Sequence, residues 1–283
     1  MIGRYRSVAV GPEWNRRHFL AALSVATLAA VGVTKCSASG QSGAAQPTPV
    51  AAEQSPAGRA GLLPPPPREA RIALPGGGVL SSLPGEGDLL ALTVDDGVNS
   101  DVVRLYTQFA KDTGLRLTYF VNGIYRSWTE HVDLLRPLVD DGQIQLANHT
   151  WSHPDLTKIP LLHVAEEFRH NHEFLWNTYG IDARPYFRPP YGAHNPHVDK
   201  LAIELGYTIN TQWSGSLEDH VMIPEGEIVK MARQYFNPQA IVIGHLNHMP
   251  VTGVYDELVD VIRERRLRTV TLDDVFIRPD NRR

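Results

Sequence analysis

Cysteine is almost missing from this 283-residue chain: Cys36 is the only one, so no internal disulfide can form. Positive charge is not in excess either. Lysine and arginine number 27 against 31 aspartates and glutamates, for a net charge of −4. That balance removes the electrostatic footprint expected of a nucleic-acid binder. There is no Gly-rich phosphate loop and no short internal repeat, which argues against a P-loop nucleotide enzyme and against a solenoid. Long apolar runs are absent apart from one near the N-terminus. What remains is an ordinary globular composition, 42% hydrophobic and 20% charged, enough for one large domain or two small ones.

The N-terminal apolar run extends from Phe19 to Val33, behind Arg16 and Arg17. It is short for a bilayer span and suits a signal-peptide core. The order Arg16-Arg17-His18-Phe19-Leu20 resembles a twin-arginine export signal, and Lys35 after the apolar core fits that class. An uncleaved membrane anchor is the competing reading. Lys35 also occupies the place where a lipoprotein signal needs a small residue, which argues against lipidation at Cys36. Residues 1–39 are therefore read as a signal peptide. Residues 40–75, rich in Pro, Gly, Ala, Ser and Gln and including Pro64 to Pro67, cannot bury enough apolar surface to fold and read as a linker. Residues 76–283 read as one folded domain. The expectation is an exported monomer, secreted or associated with the cell envelope, touching membrane only through its signal or anchor.

Within that domain short apolar runs alternate with helical patterns. Strands are expected at 88–94, 117–121, 144–148, 186–188, 207–213, 240–245 and 269–272. Helical spacing of apolar residues appears from about Ser100, from about Leu161 to Tyr179, and from Val254 to Ile262. Gly114, Gly142, Gly180 and Gly206 stand where helices should stop. Strand–helix alternation implies α/β architecture with a parallel sheet. This many units suggests a closed or nearly closed barrel, with an open doubly wound sheet as the alternative. In either, chemistry belongs at the C-terminal ends of the strands.

The first long strand ends in an adjacent pair of carboxylates, Asp95 and Asp96, followed by Gly97. Neighbours on a regular strand face opposite ways, so both can serve one site only if the chain turns, which Gly97 permits. Two like charges in a core strand also call for a cation. Ligands for one stand in "NHTWSH", where His149 and His153 are four residues apart. That spacing joins two imidazoles on a helical turn, and Pro154 suggests a tight loop instead. One aspartate of the pair with the two histidines makes a facial triad with open positions, the pattern of a catalytic metal. "FRPPYGAH" places Arg188, which can orient a carboxylate by a charge-assisted bond, and Tyr191 at another strand end. "AIVIGHLNH" places His245 at a further one. Taken singly, a spaced histidine pair or a histidine after an apolar run is more often a bystander. Trp151, Trp213 and Tyr191 can stack on sugar rings, although core packing is the commoner use of such residues.

In this order, "LTVDDG", "LTYFVNG", "NHTWSH", "RPPY" and "IVIGH" resemble the polysaccharide deacetylases, carbohydrate esterase family four, over residues 89–276. The resemblance implies a distorted (β/α)7 TIM-like barrel. It implies that Asp96, His149 and His153 hold a divalent metal, zinc first, with cobalt, nickel or iron in relatives. It assigns Asp95 as general base, Arg188 as the residue that positions it, the Tyr191 backbone N–H as an oxyanion donor, and His245 as general acid. Two departures stand out. Val98 replaces a proline, and "WSGSLEDH" keeps only Trp213 and Asp219 of a Trp-x-x-Asp-x-x-Asp-Trp block, with Ser216 and His220 in the other places. Asp219 is retained where relatives tune the acid histidine.

These roles describe an acetamide hydrolase acting on N-acetylglucosamine units of peptidoglycan or chitin-like glycans. An amine leaves poorly unless protonated, so the separate acid His245 favours N-acetyl over O-acetyl substrates. The alternatives are an O-acetyl-xylan esterase or small-amide hydrolase of the same fold, and a glycan-binding protein with an impaired site. A non-haem iron oxygenase comes last, because Asp95 and His245 have no evident task in one.

Overall fold

The computed structural model describes residues 61–278. The expected signal peptide, Cys36 and the first part of the expected linker lie outside the described residues. Among the described residues no helix is long and apolar enough to cross a membrane.

The strands are β1 (Ile72–Ala73), β2 (Gly78–Leu80), β3 (Leu89–Asp96), β4 (Leu117–Val121), β5 (Ile144–Asn148), β6 (Tyr186–Phe187), β7 (Ile209–Thr211), β8 (Gly215–Ser216), β9 (Ala240–His245), β10 (Arg268–Thr269) and β11 (Phe276–Ile277). The helices are α1 (Ser100–Thr113), α2 (Ser127–Glu130), α3 (Val132–Asp140), α4 (Leu161–Tyr179), α5 (Pro196–Glu204), α6 (Glu225–Tyr235), α7 (Tyr255–Glu264) and α8 (Leu272–Val275). Nine strands form one sheet in the order β2-β7-β6-β5-β4-β3-β9-β8, with β10 beside the start of β3. Every pairing in it is parallel. The order has two ends, so the strands form the curled, incompletely closed sheet of a distorted barrel.

Strand alternation sorts the core into two layers. On β3, Leu90, Leu92 and Val94 pack into the large cluster shared with the helices, while Ala91 belongs to a second cluster. That second cluster also takes Phe120 from β4, Ala147 from β5, Tyr186 from β6, Ile209 from β7 and Ile241 from β9. It is the filling of the curl. Continuing the same alternation toward the C-terminal ends gives Asp95, His149, Arg188 and His245. The polar residues of the site therefore stack directly above the inner apolar layer.

Helix ends follow the expected chemistry. Asn99 caps α1 by accepting from the N–H groups of Asp101 and Val102. Gly114 and Gly180 end α1 and α4 in left-handed conformation. Several boundaries differ from the sequence reading. The stretch expected to remain linker up to residue 75 contributes β1, which pairs in parallel with β11, and Leu62 packs against the core. The expected strand at 269–272 is also shorter. It stops at Thr269, and Thr271 opens α8 through a capping box with Asp274.

Candidate active site

A cleft of about 440 Å³ opens at the C-terminal ends of the strands. Its lining includes Asp95, Asp96, His149, His153, Tyr191 and His245. Arg188 lies beneath it, fully buried, and Asp219 lies behind His245. The structure thus gathers every residue singled out at the strand ends.

The aspartate pair is accommodated by the backbone. Asp95 follows the inward alternation of β3. Asp96 would face the helices, but it adopts φ 79°, and Gly97 continues at φ 110°. The turn therefore begins at Asp96 itself, one residue earlier than the glycine suggested. The Asp96 carbonyl accepts from the Trp128 indole at 3.1 Å and from the Asn122 N–H at 3.2 Å, which holds the unusual peptide in place.

Asp96 Oδ1 lies 3.4 Å from His149 Nε2 and 3.3 Å from His153 Nε2. His149 and His153 sit in a loop, not on a helix, and His153 and Thr150 both have positive φ. His149 Nδ1 donates to the Arg188 carbonyl at 2.7 Å, since a carbonyl can only accept. When the ring is neutral, Nε2 is left to offer its lone pair, the usual arrangement behind a metal-ligating histidine. These residues fit a divalent cation. Asp96 Oδ1 is buried with no hydrogen-bond partner. The three ligand atoms lie within 4.8 Å of one another. Zinc ligands at about 2.0–2.1 Å and a tetrahedral angle stand about 3.3–3.4 Å apart.

Charge in the cleft is strongly organised. Burial opposes the ionised form of Asp96, but the close approach and charge of His149, with help from His153, hold it far below the carboxylate range. Burial and the neighbouring His149 hold His153 down at about 4. His149 moves the other way: burial works against its charge, but Asp95 and then Asp96 raise it.

Asp95 is held apart from this cluster. Arg188 Nη1 donates to Asp95 Oδ1 at 2.6 Å. The rest of the guanidinium donates to the carbonyls of Thr211, at 2.9 Å, and Gln212, at 3.2 Å. Its Cζ lies over the Phe120 ring, 4.1 Å from the centroid. A buried cation with this many partners fixes one carboxylate oxygen and leaves Asp95 Oδ2, 3.5 Å from His149 Nε2, on the cleft side. Burial disfavours the charged guanidinium, and Asp95 counters it.

His245 faces this pair from β9, in register with Asp95. Its Nδ1 lies 3.0 Å from Asp219 Oδ1, and its backbone N–H donates to Asp219 Oδ2 at 3.2 Å. Burial lowers the affinity of His245 for a proton, but the Asp219 bond and charge outweigh it and raise the pKa. The altered block therefore still delivers a carboxylate to the histidine. Its other members, Ser216, Glu218 and His220, line the cleft, and the His220 ring is 5.8 Å from that of His245.

Of the three candidate sugar-stacking aromatics, Tyr191 and Trp213 line the cleft. Trp151 instead packs edge-on against Phe174 and His170. Sequence reasoning missed Asn247, whose Nδ2 donates to Asp96 Oδ2 at 2.6 Å, and the supports Asn122 and Trp128. Asn247 stands two residues after His245 in "GHLNH", which is the one local signal that pointed to it.

Comparison with known proteins agrees with this geometry. The model of the polysaccharide deacetylase family matches residues 83–210, from before Asp95 to beyond Tyr191. The chain is 29% identical over 191 residues to the peptidoglycan-N-acetylglucosamine deacetylase PgdA of Listeria monocytogenes, covering 66% of this chain and 38% of that one. It is 28% identical over 206 residues to a chitin deacetylase of Arthroderma benhamiae, covering 71% and 55%. The chain thus spans well under two thirds of the length of these relatives. In fold it is similar to the chitin deacetylase of Colletotrichum lindemuthianum, with a TM-score of 0.65 at 24% identity over 74% of this chain and 96% of that one.

Proposed function

Because the chain belongs to the polysaccharide deacetylase family, we propose that it is a metal-dependent carbohydrate N-deacetylase. It hydrolyses the acetamide of N-acetylglucosamine-type units in peptidoglycan or chitin-like glycans. The observation that carries this reading is the separation of three tasks in one cleft. Asp96, His149 and His153 form a ligand set, Asp95 is a carboxylate held outside that set by Arg188, and His245 is a histidine backed by Asp219.

Asp96, His149 and His153 would hold the cation, which when bound supplies Lewis acidity and lowers the pKa of water. Asp95, oriented by the bond from Arg188, takes the proton of the attacking water. The Tyr191 N–H, on a residue with φ 61° at the cleft, donates to the developing oxyanion. His245 gives its proton to the departing nitrogen, and Asp219 raises its affinity for that proton. Tyr191 and Trp213 offer faces for a sugar ring. The retained Asp219–His245 pair supports a working hydrolase over an impaired binding site. The N-terminal Arg-Arg and apolar run support export by the twin-arginine route, which brings such an enzyme to cell-wall glycans.

Acetate release tests the reading, with N-acetylated chitooligosaccharides, peptidoglycan oligosaccharides and acetylxylan compared in metal-free and zinc-loaded protein. Zinc-dependent release from the N-acetylated substrates is expected. Release from acetylxylan alone would make the protein an esterase, and none from any substrate at full zinc occupancy would refute hydrolysis.

A further inference from the structure

We infer that Asn247 is a positioning residue for the metal-binding carboxylate: its amide fixes Asp96 so that a single oxygen, Oδ1, is presented to the cation. The inference rests on the metal-site reading above and assigns a role that the sequence motifs do not.

The backbone of Asp96 is fixed by the two donors on its carbonyl, from Trp128 and Asn122. Neither constrains the side-chain torsions. The contact that does is Asn247 Nδ2 to Asp96 Oδ2 at 2.6 Å. A carboxylate only accepts, so the amide must present its nitrogen there. With Oδ2 engaged, Oδ1 is the oxygen that faces His149 and His153, and it is the one without a hydrogen bond. A carboxylate whose second oxygen is occupied in this way is prepared for monodentate ligation.

Asn247 is itself held firmly. The preceding residue, Leu246, is fully buried, donates its N–H to the Asp95 carbonyl at 2.9 Å and accepts from the Asn99 N–H at 3.0 Å. Those bonds tie the start of this loop to β3 and to the cap of α1. The amide is thus built onto the same strand end as the carboxylate it holds. Its other atom, Oδ1, is buried without a partner. An unsatisfied buried acceptor is unfavourable for folding, so a purely structural network does not account for an asparagine at this position. The hydrogen bond to Asp96 does.

The test compares wild type with Asn247→Ala and the near-isosteric Asn247→Leu, with folding checked by circular dichroism. Zinc affinity is measured on metal-free protein by competition with a chromogenic chelator, and each protein is loaded with Co²⁺ for its visible spectrum. Loss of an outer-shell partner of this kind weakens metal binding by about 10–100-fold, and that loss is expected in both variants. The Co²⁺ band should change in intensity as Asp96 becomes free to use both oxygens. Activity lost at limiting zinc should return at saturating zinc, which a packing defect would not allow. Wild-type zinc affinity with an unaltered Co²⁺ spectrum in a folded variant would overturn the inference while leaving the metal site intact. Unfolding of both variants would also overturn it, by making Asn247 a structural residue. Absence of stoichiometric zinc from wild type would remove the metal-site reading, and this inference with it.

Discussion

Replacing Asp219 by asparagine isolates the control of the acid. Asp219 Oδ1 lies 3.0 Å from His245 Nδ1. Both groups are shielded, with side-chain exposures of 3% and 13%, so solvent screens the pair weakly. An opposite charge this close shifts a pKa by about 1–3 units. Asparagine removes the charge but keeps an oxygen able to accept from Nδ1, so the lower end, about one unit or 1.4 kcal/mol, is expected. The sign follows from the acid's task. In the proposed mechanism His245 works while protonated, and Asp219 raises its pKa, so the mutant loses the proton at lower pH. The alkaline limb of kcat/KM should therefore move down by about one unit. Asp95 and Asp96 also favour the charged His245 and remain in place, while a charged His220 ring at 5.8 Å would push the same way as the mutation. Stability carries the same sign. A histidine with a raised folded-state pKa contributes fully below its unfolded value, near 6.5, and loses that contribution as pH rises through the folded value. The assay is acetate release from one N-acetylated chitooligosaccharide across pH at saturating zinc. An alkaline limb that stays in place would refute the pairing as a control on the acid.

Asp95→Asn should keep stoichiometric zinc yet lose about a hundredfold to ten-thousandfold in turnover, since removing a general base has that effect; near-normal acetate release from the zinc-loaded variant would exclude Asp95 from that role. Gly97→Ala should lower stability by about 1–3 kcal/mol, as overpacking does. Its Cβ would come within 2.4 Å of the Trp128 indole nitrogen at φ 110°, and an unchanged urea midpoint would show that the turn can relax. A chain beginning at Arg68 should remain folded and active, whereas one beginning at Gly76 lacks β1 and its pairing with β11. Equal melting temperatures for the two would mean that β1 adds nothing to stability.

Much of the site was legible because strand periodicity is a local property. Three strands, Leu117–Val121, Ile144–Asn148 and Ala240–His245, fall where their apolar runs predict. The residue following each run is then placed at a strand end, and Asp95, His149, Arg188 and His245 meet there because they share one phase of the alternation. Short strands such as Gly215–Ser216 carry no period to read. They exist because neighbouring β9 offers its backbone. Asn247 escaped for a related reason. It lies in an irregular loop, and its partner Asp96 is 151 residues earlier. Nor does composition reveal that Ile72–Ala73, beside a proline-rich stretch, finds a parallel partner at the far end of the chain.

The alternation that makes the site legible also limits it. A regular strand supplies one inward side chain in every two residues, so β3 could deliver Asp95 or Asp96 to the cleft, but not both. The proposed mechanism, which keeps the base apart from the metal ligands, needs both. The chain meets this need by placing Asp96 itself at positive φ, a conformation that disfavours an L-residue by roughly 1–2 kcal/mol. The same device recurs at Thr150 and His153, and at Tyr191 and Glu218 on the cleft wall. Glycine would relieve the backbone at any of these positions, but at Asp96 and His153 it would remove a proposed metal ligand. The surrounding bonds hold the conformation instead. Trp128 and Asn122 hold the Asp96 carbonyl, Asn148 Oδ1 accepts from the Thr150 N–H at 2.8 Å, and Thr150 Oγ1 accepts from the His153 N–H at 3.3 Å. Five of the seven described non-glycine residues at positive φ thus gather around one cleft, with Gln239 and Arg266 the exceptions, and sparsely populated backbone clusters in this way at functional sites.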